Sequence, residues 1–145
     1  MKLTILLADA AQAVNGKLYI LGGGWSIAGP EPTQMAIAIK VEVPWNEANQ
    51  RHTLQLTLVD DDGHPVAFSA PAGTQTVEVS LNFEVGRPPG LKPGTPLDVP
   101  LAINLGPLPL PPDRRYVWRC AIDGQSESDW EVSFTTRPAH KTSDA

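Results

Sequence analysis

The residues able to do chemistry in this chain are few, and most of them sit in short polar turns. Asp60-Asp61-Asp62 is the densest carboxylate group. Such a run opens a calcium loop when glycine holds the sixth position and glutamate the twelfth. Counted from Asp60, those positions hold Pro65 and Pro71, so that loop does not form. A two-loop calcium site needs a second acidic turn, and Asp123 to Asp129 is its one candidate. Asp-Gly at Asp62-Gly63 is foremost a hairpin-turn signal, and no metal is expected. His52, His64 and His140 show no zinc-ligand spacing, and the single cysteine offers no pair.

Nucleophilic catalysis finds equally little support. No Gly-x-Ser-x-Gly elbow occurs. Cys120 lies on the apolar face of a strand, where a thiol is buried and inert. An acid–base pair would need His52 to converge with Asp60 or Asp62 in one pocket. Gly22-Gly23-Gly24 resembles a phosphate cradle only superficially, because Trp25-Ser26-Ile27, Pro30 and Pro32 follow and no helix can start there. No cofactor is expected, and the chain reads as non-enzymatic.

Binding is the better prospect. Trp25 and Trp45 fall in loops, where a tryptophan anchors an interface, stacks on a sugar, or plugs the end of a β-structure. Together with Asp60 and Asp62 they are the candidate ligand- or partner-binding residues. Leu108-Pro109-Leu110-Pro111-Pro112-Asp113-Arg114 has the Pro-x-x-Pro-x-Arg form of polyproline ligands. A rigid crossover between two strands is the favoured reading of that segment.

The elements that must position these residues are strands. Arg115 to Arg137 is the clearest. Tyr116, Trp118, Cys120 and Ile122 share one parity, and Trp130, Val132 and Phe134 share another, on either side of a polar turn. The spacing predicts further strands over Lys2–Ala8, Lys17–Leu21, Met35–Val43, Arg51–Val59, Pro65–Ala70, Thr76–Val85 and Leu97–Leu105. Asn15-Gly16 is a turn, since both residues take positive φ readily. The three glycines suggest a bulge or a close approach of another backbone. Pro100 marks an edge strand or a local break. Ala36 and Ala38, on the second face of Met35–Val43, suggest that this face is covered, with a neighbouring subunit as one possible cover.

These strands predict an all-β fold, an antiparallel β-sandwich of immunoglobulin-like plan with about eight or nine strands. One domain over residues 1–137 and a flexible tail over 138–145 account for the length. The 145 residues suffice for a core without disulfide or metal. A net charge of −5, with no basic stripe, argues against nucleic acid and anionic membrane as partners. The apolar run Leu3 to Ala8 is too short for a secretory segment, and nothing approaches a membrane span. A cytoplasmic location is expected.

Several stretches carry a resemblance. They are Leu7-Ala8-Asp9-Ala10, Gly16-Lys17 through Gly22, Gly24-Trp25, Val43-Pro44-Trp45-Asn46-Glu47-Ala48-Asn49, and Leu58 through Gly63. Together they resemble a family of small uncharacterised bacterial proteins, frequent in actinobacteria and known as a domain of unknown function. That resemblance implies a stand-alone cytoplasmic β-domain and supplies no catalytic residues. Asp113 to Trp118 also resembles the tyrosine corner of immunoglobulin-like sandwiches, without their disulfide. The expected role is an interaction module that self-associates or docks a protein partner, including as a structural component of an assembly. The alternative is a small-molecule or carbohydrate-binding domain.

Overall fold

Two-residue periodicity becomes strand almost throughout. A computed structural model describes residues 1–32 and 34–139. His140 and the rest of the expected tail beyond Ala139 lie outside the described residues. The strands are β1 (Lys2–Val14), β2 (Lys17–Gly23), β3 (Ile27–Ala28), β4 (Met35–Val43), β5 (His52–Asp60) and β6 (Ala67–Ala70). They continue with β7 (Gly73–Thr76), β8 (Glu78–Phe83), β9 (Leu97–Leu105), β10 (Arg115–Ile122) and β11 (Glu131–Thr136). A single 3₁₀ turn, Trp45–Glu47, is the only helical element among the described residues.

The strands form a four-stranded sheet in the order β2-β1-β4-β9 and a five-stranded sheet in the order β3-β11-β10-β5-β8. A separate hairpin pairs β6 with β7. All strand pairs are antiparallel except β3–β11, which is parallel. Both sheets feed one apolar cluster. Leu7, Ile37, Ile39 and Val41 enter from the first sheet, and Leu54, Leu56, Leu58, Trp118 and Phe134 from the second. Each aliphatic side chain fully buried there stabilises the fold by roughly 1.5–3 kcal/mol relative to exposure. Trp118, fully buried on the central strand β10, sits where the sequence put the core.

Eleven strands stand where about nine were expected. The two extra ones are β3 and β7, and each has a physical origin. The apolar alternation over Thr76–Val85 is unbroken, yet Val77 donates its N–H to Val66 and divides the run between two partners. Residues before it pair with β6, and residues after it pair with β5. Pro65 to Ala70 therefore does not complete a hairpin with β5. It touches β5 only at the Val59–Pro65 bridge and then turns away, because β8 already occupies that edge. β3 is two residues held parallel to β11 and carries no periodicity of its own.

β1 also runs six residues past its expected end. Residues up to Ala8 pair with β4; from Ala8 onward the strand pairs with β2 across the Asn15-Gly16 turn. Asn15 and Gly16 both have positive φ, 50° and 74°. The strand bends where Gly22 adopts a φ of +60° and a Cβ would collide with the Asp9 carboxylate. So the glycine run is approached both by the Asp9 side chain, at Gly22, and by the β1 backbone, where the Gly24 N–H donates to the Leu7 carbonyl at 2.7 Å.

Past this bend the hairpin curls over the second face of the four-stranded sheet. Ala8, Ala11, Ala36 and Ala38 pack there as a small buried cluster. The side-chain amide of Asn104 on β9 clips the curl. Its Oδ1 accepts from the Ala11 N–H at 3.2 Å, and its Nδ2 donates to the Ala11 carbonyl at 2.8 Å. The alanine face is thus covered by the chain's own hairpin and not by a neighbouring subunit. Leu6 and Ala102 pack against the rim of this cluster. On β9, Pro100 lies opposite Lys40 on a true edge strand, as its missing N–H demands.

Candidate functional site

β5 leaves the core at Asp60, which keeps the inward parity of Leu54, Leu56 and Leu58. Its Oδ1 accepts the N–H of Asp62 at 3.0 Å and of His64 at 2.9 Å. Gly63, with a φ of +80°, closes the turn and donates its N–H to the Asp60 carbonyl. The backbone thereby fixes the Asp60 carboxylate and projects Asp62 and His64 outward. One donor atom from each of Asp60, Asp62 and His64 lies within 4.8 Å of the others. His64 Nδ1 stands 3.9 Å from Asp60 Oδ1, and its ring is 77% exposed.

A second segment meets this turn. Leu108 to Asp113 crosses beneath it and is anchored rather than presented. Leu110 is buried, and the Thr136 hydroxyl donates to the Pro111 carbonyl at 2.8 Å. That anchoring matches the rigid-crossover reading of the proline motif. Asp113, at a φ of +57°, turns the chain into β10. The two segments enclose a groove of about 660 Å³. Asp60, Asp61, Asp62 and Asp113 line it with Arg114 and Arg115, and Phe68 and Tyr116 supply its apolar wall.

Three features distinguish this groove. Four carboxylates share it with two guanidiniums, yet neither arginine has an ion-pair partner within 4.0 Å among the described residues. Tyr116 lies directly across the ladder from Asp60 and is only 4% exposed. Its ring packs on Phe134 at 5.6 Å between centroids. Burial raises the phenol's pKa, the Arg114 charge lowers it, and the Asp60 charge raises it again, with a net upward shift.

The four residues singled out from sequence do not form one site. Asp60 and Asp62 share the groove. Trp25 packs edge-on against Phe134 at 6.3 Å, partly buried, with its indole N–H unpartnered among the described residues. Trp45 lies at the far end of the molecule, under the Arg87 guanidinium at 4.9 Å. Arg87 also donates to the Trp45 carbonyl from Nε at 3.0 Å and from Nη2 at 2.6 Å. Trp45 borders a different hollow, of about 580 Å³, with Met1, Pro44 and Pro96.

His52 does not converge with Asp60 or Asp62. It opens β5 while Asp60 ends it, a span of roughly 26 Å of extended chain. His52 is buried, and both ring nitrogens are engaged. Nδ1 meets Asp123 Oδ2 at 2.6 Å, and Nε2 meets the Glu47 carbonyl at 2.9 Å. Carboxylate and carbonyl both accept, so the two contacts are satisfied together only when both ring nitrogens carry a proton. Burial, the largest influence, lowers its pKa; the Asp123 and Glu47 hydrogen bonds and charges outweigh it, and the net shift is upward. The His52 hydrogen bond, with help from the Thr53 N–H, holds the Asp123 carboxyl below its usual range. Burial pushes the Cys120 thiol up to about 11, which keeps it protonated and unreactive at neutral pH.

Sequence reasoning missed His64, Arg114 and Tyr116 as companions of Asp60. One signal was present: Asp60, Asp62 and His64 follow an i, i+2, i+4 spacing through a turn. Another was the inward parity of His52 with Leu54, which demanded buried acceptors.

An all-β chain with one shared core and a mixed-charge groove at one end is the class these observations define. Residues 3–135 match a family of unknown function, DUF6941, and the chain belongs to that family. No curated protein and no solved structure matches it. Among the described residues, no helix is long and apolar enough to cross a membrane.

Proposed function

We propose that this protein is a non-enzymatic interaction module that self-associates through the edge strand β2. The two sheets are read as layers of an antiparallel sandwich, with β2 as an edge strand of the first and β8, which carries Glu78, as an edge strand of the second. The observation that carries the reading is exposure. Tyr19, Ile20 and Leu21 are 55%, 41% and 70% exposed on a strand whose outer edge pairs with nothing among the described residues. Natural proteins guard such edges with proline, charge or brevity. β9 carries Pro100 and Asp98, and β3 is two residues long. β2 runs for seven residues with Lys17 as its only charge.

A second copy of the chain fits this edge. Antiparallel pairing of β2 with itself, centred on Ile20, sets each Lys17 opposite the glycines of the other copy. The two cations then stand about 20 Å apart, and no like charges meet. Parallel pairing would bring them together. The same operation joins the two exposed apolar rows in one isologous contact.

Sedimentation equilibrium of the full chain tests this. A dimer is expected at micromolar concentration. Leu21→Glu, at a site already mostly exposed, should weaken it at least tenfold without changing the far-UV spectrum, and so should Ile20→Pro. A wild-type protein that stays monomeric to about 100 µM ends the proposal.

A further inference from the structure

We infer that His52 is a proton-operated latch on the turn from Pro44 to Asn49: the doubly protonated ring holds the turn closed, and loss of one proton frees the Glu47 carbonyl and opens it. Geometry carries this. Nδ1 meets Asp123 Oδ2 at 2.6 Å and Nε2 meets the Glu47 carbonyl at 2.9 Å, so a ring with one N–H serves only one of the two acceptors. The side chain is 5% exposed, so water cannot replace the lost contact while the turn stays in place.

The two acceptors are not held alike. Asp123 is locked to β5 by both its backbone and its side chain. Its N–H donates to the Thr53 carbonyl at 2.9 Å, and its Oδ1 accepts the Thr53 N–H at 2.9 Å. Its contact with the ring is also the charge-assisted one, roughly twice as strong as a bond between neutral groups. A neutral ring therefore keeps its proton on Nδ1. Nε2 then turns a lone pair on the Glu47 carbonyl, and two acceptors face each other. The carbonyl is the partner that must move.

The turn moves between two tethers. At one end the Arg87 guanidinium holds the Trp45 carbonyl from Nε and Nη2. At the other the Asn49 N–H donates to the Val85 carbonyl at 2.8 Å. Asn46, Glu47 and Ala48 lie between them, and Ala48 is buried. Opening exposes Ala48 and reshapes the hollow that Pro44, Trp45 and Asn46 share with Met1 and Pro96.

The charged groups that act on the ring are both acids, Asp123 from the turn after β10 and Glu47 from the latched turn itself. Phe83 of β8 covers the ring at 5.4 Å between centroids. Arg51 and Glu84, the chain neighbours of His52 and Phe83, are exposed. The acids outweigh burial and raise the His52 pKa above 6.5, so the latch is shut in mild acid and opens as pH rises through the folded value. It operates within one chain and needs no second copy.

Nuclear magnetic resonance of the isotope-labelled full chain from about pH 5.5 to 9 is the test. The His52 ring should lose its Nε2 proton and keep its Nδ1 proton. As it does, exchange of the Ala48 amide, corrected for the intrinsic rise with pH, should speed at least tenfold, while the Leu56 amide stays protected. Asp123→Asn separates the latch from general loosening. Its amide donates to Nδ1, which leaves a neutral ring free to carry its proton on Nε2 and hold Glu47. In that variant Ala48 should stay protected over the whole range. Ala48 exchange that does not follow the His52 titration in the wild type overturns the inference. So does a wild-type neutral ring with its proton on Nε2, or exchange that speeds equally at Ala48 and Leu56.

Discussion

The two ends of the β5–β10 ladder hold the same chemical groups and use them in opposite ways. At one end, His52 and Asp123 meet at 2.6 Å, and the imidazole lies against Phe83 at 5.4 Å between centroids. Every donor there has its acceptor. At the other end, His64 and Asp60 stand 3.9 Å apart in solvent, and Arg114 and Arg115 have no ion-pair partner among the described residues. The first arrangement is a bolt, while the second leaves its polar groups available. Burial makes the difference. A sealed imidazole must be satisfied by the fold, whereas an exposed one is satisfied by water and stays available to a ligand.

Removing the bolt should have the largest effect. His52→Ala leaves a cavity beside Phe83 and strips partners from Asp123 and the Glu47 carbonyl. It should destabilise the protein by about 2–4 kcal/mol in urea unfolding. The same pair gives a pH dependence with a definite sign. The His52 pKa is raised above 6.5, so its contribution is full below 6.5 and is lost as pH rises through the folded value. The Asp123 pKa is lowered below 3.8, so its contribution holds above 3.8 and is lost as pH falls through the folded value. Stability from this pair should therefore be greatest between these limits and decline as pH rises above 6.5 through the folded His52 pKa. A His52→Gln variant should show a flatter profile over that range.

Smaller effects sharpen the contrast. Arg87→Ala removes the cation over Trp45 and two hydrogen bonds to its carbonyl, all at an exposed site, and should cost about 1 kcal/mol. Asp62→Asn at the open end should change stability by less than about 0.5 kcal/mol in metal-free buffer. If Asp62→Asn proves as costly as His52→Ala, the open end is structural and the distinction fails.

The strands were legible where one periodicity served one partner. Met35–Val43, Leu97–Leu105 and the β10–β11 hairpin emerge from alternation alone, because each presents one face to one core. Thr76–Val85 misled because its alternation persists while its partner changes at Val77. β3 was silent, since Ile27 and Ala28 are strand only by virtue of Thr135 and Thr136. The sites suffered from the same non-locality. His52 and Asp123 are 71 residues apart, and nothing in either neighbourhood names the other. Asp60 and Asp62 were legible as a group because a turn joins them. Tyr116 joins them only through the register of β5 against β10.

The Asn104 amide has a consequence for exchange kinetics. It engages the N–H and the carbonyl of Ala11 with a side chain, where a neighbouring strand would use its backbone. The Ala11 amide hydrogen is therefore shielded from solvent deuterium by a single rotatable group. Its exchange lifetime reads out opening of the curl, separately from unfolding of the ladder that holds β1 to β4. Asn104→Ala should bring that one amide to the exchange rate of a frayed strand and leave the Ile37 and Ile39 amides protected.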